Sequence, residues 1–366
     1  MKVALVHDYL KEYGGAERVL EALHEIWPKA PIYTAFCDRG SSAGQVFAQA
    51  KIVESWLAPL LKFKSFYSPL RFLAPIVWRS FDFSQYDVVI ASASWYITRG
   101  FKVGPKTKVF CYCHTPTRYL WSDLESYVDK LKIPNLSKKM VMEKLKGLRQ
   151  WDYEAAQRLN YFIANSQFIA QKIKKYYHRD SKVIYPPVEV DKFYSDPKKD
   201  DYYIVVSRLM PYKKVDLVIR AFNQLKLPLK IIGFGEQLGE LKKMAKSNIE
   251  FLGKVSDEVR GKYLSKAKAF LHPQEEDFGI AAVEAMASGC PVIAYGSGGA
   301  LETVINKETG LFFEEQNWES LAEAVLDFNK LEFDSEAIQK YAQKFSNQNF
   351  RKNIEDYLQE MTSKKI

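Results

Sequence analysis

Cysteine is scarce in this chain of 366 residues: Cys37, Cys111, Cys113 and Cys290 are too few and too scattered to form a disulfide framework. A reducing compartment fits that pattern better. Long hydrophobic runs are missing too. The opening apolar run stops at His7 and Asp8, short of the roughly 7 to 15 apolar residues of a secretory leader. Nothing approaches the about 18 apolar residues that a membrane-spanning helix needs, so neither leader nor span is expected. Glycine spacing excludes another class: Gly233-Phe-Gly235-Glu-Gln-Leu-Gly239 puts its third glycine one residue too late for a dinucleotide fingerprint, which disfavours a nicotinamide enzyme. Cys111 and Cys113 share one face of a strand, but no second cysteine pair exists to complete a metal site.

What is present is the composition of a folded protein, 47% hydrophobic and 27% charged. At this length, two cores of about 150 to 200 residues are expected. The formal net charge of +9 is unevenly placed. Residues 1–190 hold 28 Lys and Arg against 17 Asp and Glu, whereas residues 191–366 hold 25 against 27. The basic half is therefore expected to face an anionic membrane surface or a nucleic acid, unless its charge serves solubility alone.

Short apolar or β-branched runs at residues 3–6, 87–92, 107–112 and 161–164 alternate with helical patterns. The rhythm repeats at 203–206, 229–232, 249–252, 269–271, 291–294 and 310–312, predicting two tandem α/β units with parallel sheets. Paired prolines at Tyr185-Pro186-Pro187-Val188 fix an extended segment and mark the boundary. The expected division is 1–187, 188–347 and a final helix in 348–366 that packs back on the first domain.

Four stretches carry chemistry. The acidic loop Glu275-Glu276-Asp277 runs through Phe278 into Gly279, after which Ile280 to Ala287 is strongly helix-forming. Such a helix start offers backbone N–H groups and the positive end of a dipole, a seat for phosphate. Glu284 lies more than a turn in, where its carboxylate suits vicinal hydroxyls, and Glu276 stays in the loop. A pair of surface carboxylates favoured by the dipole is the competing explanation, weaker for Glu284, which sits between Val283 and Ala285. In the second stretch, Arg208, Lys213 and Lys214 join a strand to a helix expected to begin near Lys213. Cations there are unfavourable by roughly 0.3 to 1 kcal/mol each, a cost that a bound anion would explain. In the third, Gly14-Gly15 follows the first strand, either as a plain turn or as a close approach of backbone to phosphate. Gly298-Gly299 is a similar loop. In the fourth, His114 ends a strand, where α/β sheets place ligand residues, or is a loop histidine without a role.

Glu276 and Glu284 with seven residues between them, set in HPQEEDFGIAAVEAMASGCPVIA, closely resemble the Glu-x7-Glu motif of retaining glycosyltransferases of family 4. The flanking Phe-Gly, Glu-Ala-Met-Ala-x-Gly and Pro-Val-Ile-Ala match as well, and the likeness covers nearly the whole chain. It implies the GT-B fold, two Rossmann-like domains facing across a cleft. It also implies that Glu284 binds the nucleotide ribose, that Glu276 lies beside the donor sugar, and that the backbone around Phe278, Gly279 and Ile280 lies against sugar hydroxyls and phosphate. Arg208 and Lys213 resemble the Arg-x4-Lys pair that grips the diphosphate. Lys214 stands where many relatives have glycine, which leaves open which lysine reaches the phosphate. Gly14 and Gly15 match a glycine pair opposite the diphosphate. CHTPTRYLW is similar to a bacterial GDP-mannose-dependent subgroup in which the histidine, here His114, touches the donor sugar.

The resemblance thus implies a hexosyltransferase, with mannose from GDP-mannose as the expected donor, a UDP-sugar as the alternative, and a lipid-linked or polysaccharide acceptor in cell-surface glycan synthesis. A non-catalytic two-domain sugar-binding protein is the rival class. No Asp-x-Asp occurs, so no metal or other cofactor is implied. Trp56 to Arg79 carries six aromatics (Trp56, Phe63, Phe66, Tyr67, Phe72, Trp78) and the cations Lys62, Lys64, Arg71 and Arg79 without an acid, and Lys130 to Arg149 adds seven cations against Glu143. Rings interleaved with cations suit a membrane interface, with core packing as the competing use of the rings. The expected place of work is the cytoplasmic face of the plasma membrane, and nucleic acid is not expected as a partner.

Overall fold

The computed structural model describes residues 1–63, 66–131 and 133–363. The chain divides into two compact units, residues 1–185 with 351–366, and residues 186–350.

In the first unit, seven parallel strands form one sheet in the order β3-β2-β1-β4-β5-β6-β7: β1 (Val3–His7), β2 (Ile32–Thr34), β3 (Ile52–Glu54), β4 (Val88–Ala93), β5 (Lys108–Cys113), β6 (Tyr161–Ala164) and β7 (Lys182–Val183). Helices cover both faces of such a sheet, so its central strands read as continuous apolar runs. Thus β1 is VALVH and buried throughout, with Leu5 in register with Ile32 on one side and Ile90 on the other. Val6, Val89, Cys111 and Phe162 share a core with Trp78 and Tyr177. Cys111 and Cys113 do lie on one face, as buried thiols in that core. The final helix, Asn347–Ser363, joins this unit from Arg351 onward. Its Tyr357 ring packs 6.0 Å from Phe110 and 6.3 Å from Tyr161, and Arg351 pairs with Glu25.

The second unit holds a parallel sheet of six strands in the order β10-β9-β8-β11-β12-β13: β8 (Tyr203–Val206), β9 (Leu229–Ile232), β10 (Ile249–Gly253), β11 (Ala269–His272), β12 (Val292–Tyr295) and β13 (Gly310–Phe313). Val205, Ile231, Leu271 and Ile293 face a core closed by the Val215–Leu225 and Trp318–Phe328 helices. In both sheets the chain turns to the opposite direction at one place, between β1 and β4 and between β8 and β11. At such a switch point the loops after adjacent strands diverge and leave a crevice at the carboxyl ends.

Two expectations need correction. The helix after β8 begins at Val215, not near Lys213, because residues Pro211–Lys213 form a 3-10 turn and Lys214 takes a left-handed conformation (φ 54°) between the two. Part of the Trp56 to Arg79 segment is core: Trp78 is fully buried, and Arg71, 7% exposed, lies 4.8 Å from the rings of both Trp95 and Tyr119. Arg71 is therefore not a surface cation. Trp56, Phe63 and Phe72 are exposed, at 66%, 57% and 43%. Lys64 and Lys132 lie outside the described residues.

Candidate functional site

The second unit gathers charge at its switch point. β11 ends in His272, and the loop that follows carries Gln274 and Glu276 before Gly279 starts the Ile280–Ala287 helix. Gly279 has φ 94°, and a Cβ there would lie 3.3 Å from His272 Nε2, so glycine serves both the turn and the approach to the histidine. No side chain caps this helix. Lys213 donates to Glu276 Oε1, which also accepts from Gln274 Nε2 at 3.1 Å. Burial pushes the Glu276 carboxyl up, but the Lys213 ammonium, His272 and these hydrogen bonds outweigh it and hold the group below its ordinary range. Burial brings His272 down to about 4. Its imidazole is therefore neutral near pH 7, and Nε2 is buried without a hydrogen-bond partner among the described residues.

Arg208, on the loop after β8, donates to the Tyr212 hydroxyl at 3.2 Å. Glu284 is 4% exposed, as its apolar neighbours require, and its Oε1 lies 3.2 Å from Arg260 Nη2. Arg260 also reaches Asp257 at 3.2 Å. The pairing of Lys213 with Glu276 changes one step of the sequence argument: the lysine charge is already balanced within the chain, so it does not by itself require an anion. The Gly298-Gly299 loop packs on the acidic loop. A Cβ on Gly299 would lie 2.4 Å from Phe278 Cα, and Gly299 N donates to Glu276 O at 2.8 Å.

The first unit gathers imidazole and hydroxyl groups at its own switch point. His7 ends β1, Ser92 is near the end of β4, and His114 directly follows β5. Ser92 Oγ lies 3.0 Å from His7 Nδ1 and 2.8 Å from His114 Nε2. His7 Nε2 lies 3.3 Å from Glu17 Oε1. Glu17 in turn accepts from Gly14 N at 2.9 Å through Oε2, so the glycine turn is closed by the helix it precedes. Burial, aided by His7 and opposed by Asp8 and Glu17, brings His114 down to about 4. Asp8 accepts from Ser94 N and Oγ, Trp95 N and Thr98 Oγ1, and so fixes the loop after β4.

Of the residues singled out by sequence, Lys213 and Glu276 are in direct contact. Gly279, Ile280 and Glu284 lie on the adjoining helix, whose Gly279 is its N-cap. Phe278 is buried against Phe345 at 5.5 Å. Sequence reasoning missed His7, Glu17, Ser92, Arg260, His272 and Gln274. The spacing of Gly14 to Glu17 is a capping-box spacing and was a usable signal. A histidine ending the first strand was another. Arg260 had none, since its partner is 24 residues away.

Comparison with known proteins gives this arrangement its class. Solved structures share the fold over nearly the full length. Anabaena HepE, solved in complex with UDP, aligns with a TM-score of 0.71 at 18% identity, covering 98% of this chain and 100% of that one. Sucrose-phosphate synthase of Thermosynechococcus elongatus aligns at 0.72 and 15%, covering 99% and 100%. The fold is that of the GT-B glycosyltransferases. Residues 13–192 match the model described as Glycosyltransferase Family 4, and residues 189–345 the model described as Glycosyl transferases group 1. The chain belongs to the family 4 glycosyltransferases. Among curated relatives, the alpha-1,3/1,6-mannosyltransferase ALG2 of Rhizomucor pusillus is 26% identical over 97% of this chain and 88% of its own length. A GDP-mannose-dependent alpha-(1-6)-phosphatidylinositol monomannoside mannosyltransferase of Mycobacterium tuberculosis is 30% identical over 39% of this chain and 45% of its own.

Proposed function

We propose that this glycosyltransferase moves mannose from GDP-mannose to a lipid-linked or polysaccharide acceptor with retention at the anomeric carbon. The observation that carries the reading is the joined Lys213 and Glu276 at the β8/β11 switch point, flanked by Arg208 and by the uncapped start of the Ile280–Ala287 helix. Arg208, with Lys213 or Lys214, binds the donor diphosphate, and the helix start at Gly279 adds backbone N–H groups. Glu284 accepts from the ribose hydroxyls. Glu276 and the backbone around Phe278 and Ile280 border the sugar, as does His114, and Gly14 and Gly15 let backbone approach the diphosphate. The bond from the anomeric carbon to the phosphate oxygen breaks as the acceptor oxygen bonds to the same face of that carbon. The acceptor proton passes to the departing phosphate. Negative charge grows on the diphosphate during this step, and fixed cations aimed at it lower the barrier without a metal. The mannosyltransferase names of the relatives favour GDP-mannose over the UDP-sugar alternative.

No helix among the described residues is long and apolar enough to cross a membrane. A lipid-linked acceptor therefore calls for a surface contact. Exposed Trp56, Phe63 and Phe72, with Lys144 Nζ 5.7 Å from the Phe72 ring, supply rings and charge for the cytoplasmic face of an anionic membrane.

The test is a thermal-shift and turnover screen against GDP, UDP, ADP and their sugars, with and without chelator. GDP-mannose is expected to give the largest shift, about 2.7 kcal/mol at 100 times its dissociation constant, and slow release of GDP without acceptor. Preference for a UDP-sugar overturns the donor, turnover abolished by chelator overturns the metal-free step, and binding without any turnover points to the non-catalytic rival. Vesicle sedimentation checks the membrane reading: Trp56→Ala with Phe63→Ala should release the protein from anionic liposomes.

A further inference from the structure

The cluster in the first unit has a direction. Glu17 is a carboxylate, and when ionised it can only accept hydrogen bonds. His7 is held against it through Nε2, so in its neutral form His7 carries the proton on Nε2 and presents Nδ1 as a lone pair. The neighbour at that lone pair is Ser92 Oγ at 3.0 Å, and a hydroxyl has one proton to give. Once that proton is directed to His7, Ser92 Oγ can only accept on its other side, where His114 Nε2 stands at 2.8 Å. His114 must then hold its proton on Nε2. Among the described residues its hydrogen bonds run through Nε2 and the backbone, and none reaches Nδ1.

We propose that Glu17, His7 and Ser92 are positioning residues that fix the tautomer and ring orientation of His114, so that its Nδ1 stands as a hydrogen-bond acceptor for a hydroxyl of the substrate sugar. The inference rests on the reading of His114 as a sugar contact, but the relay itself is a separate claim. Each member comes from a different element: β1, β4, the loop after β5, and the helix Gly15–Ile26. Parallel register supplies the alignment, because His7 pairs with Ser92 across β1 and β4. The ligand class follows from the polarity. An unprotonated ring nitrogen recognises a donor, so a hydroxyl suits it and a phosphate or carboxylate oxygen does not. The low pKa of His114 agrees, since a cationic ring would expose a second N–H and lose the acceptor.

The experiment reads tautomers. The full chain has five histidines, so imidazole 15N signals of uniformly labelled protein can be assigned with single His→Gln variants. In the wild type, His114 is expected to show a protonated Nε2 and an unprotonated Nδ1. Ser92→Ala and Glu17→Gln should each convert it to a tautomer mixture and lower kcat by roughly tenfold, with a smaller change in KM for the donor. Circular dichroism melts confirm that the variants are folded. A wild-type His114 protonated on Nδ1, or a tautomer unmoved in both variants, overturns the relay. If the tautomers respond as expected but saturating GDP-mannose and UDP-glucose both leave the Nδ1 shift of His114 unmoved, the relay stands and the sugar-contact reading falls.

Discussion

The two switch points are built on the same topology and filled with opposite chemistry. Between β8 and β11 the side chains are ions in pairs, Lys213 with Glu276 and, on the neighbouring helix, Arg260 with Glu284. Between β1 and β4 they are a serine and two histidines, with the Glu17 carboxylate at the far end and the Asp8 carboxylate taken up by the loop after β4. A parallel sheet supplies the crevice in both cases, and the residues set at the strand ends decide what the crevice can bind. Paired ions suit a polyanion whose charge changes during reaction. Imidazole rings and hydroxyls suit uncharged hydroxyls, which need direction more than field strength.

The comparison breaks most sharply through the cations. Arg208→Ala and Lys213→Ala are each expected to lower transfer by about 10² to 10³, the loss typical of one fixed group facing developing charge. On the proposed reading that both act on one diphosphate, the double variant should fall well short of the product. Steady-state rates with saturating acceptor measure this; near wild-type turnover in either single variant would remove the charged cluster from the chemistry.

Glu284 sharpens the contrast from the side of stability. Glu284→Ala leaves Arg260 without its buried partner, although Asp257 remains at 3.2 Å. Breaking a buried pair costs roughly 3 to 5 kcal/mol, and the retained Asp257 sets the expectation at about 3 kcal/mol. Glu284→Gln keeps an acceptor and should lose less. Denaturant titration reads both. Nucleotide affinity measured on the folded fraction should fall in both variants, and the ribose role is wrong if affinity holds while stability falls.

Acid should weaken both units, because each buries one neutral histidine brought to about 4, His114 in the first and His272 in the second. The sign follows from proton counting. Between the ordinary value near 6.5 and the folded value near 4, the unfolded chain binds more protons, so stability falls as pH is lowered through that window and levels off below it. From pH 7 to roughly pH 5 each histidine should cost about 2 kcal/mol. His24, also lowered by burial, acts in the same sense. His272→Gln should remove about one histidine's share of the loss, and a pH profile that this variant leaves unchanged would contradict a neutral buried His272.

The site of paired ions was more legible in the sequence than the histidine site, for a physical reason. Glu276 and Glu284 sit within one loop and helix, so their spacing survives in the linear text. His7, Ser92 and His114 meet only through strand order, and the pairing of β1 with β4 crosses 85 residues. His7 counted only as a break in an apolar run, and the helix after it hid Glu17. Likewise β2, β3 and β7 went unseen because two or three residues are too few to show a period. The long central strands announced themselves through continuous apolar runs. The aromatic segment misled for the opposite reason, since the sequence cannot tell Arg71 inside a box of rings from a cation beside rings at a surface.

Lys214 gives the smallest expected effect and decides which lysine serves the diphosphate. Its φ of 54° lies in the left-handed region, where a side chain costs roughly 1 to 2 kcal/mol and glycine costs nothing sterically. Here a lysine bears that strain between the turn Pro211–Lys213 and the helix Val215–Leu225. Lys214→Gly relieves the strain but gives the unfolded chain more freedom, about 0.4 to 1 kcal/mol in the opposite sense. The net gain should be a few tenths to about 1 kcal/mol, read as a slightly higher melting temperature. Turnover should stay within about threefold of wild type, because Lys213, held by Glu276, is the lysine at the site. A stable Lys214→Gly protein with turnover reduced by about 10² would transfer the phosphate role to Lys214 and leave Lys213 as a counter-ion for Glu276.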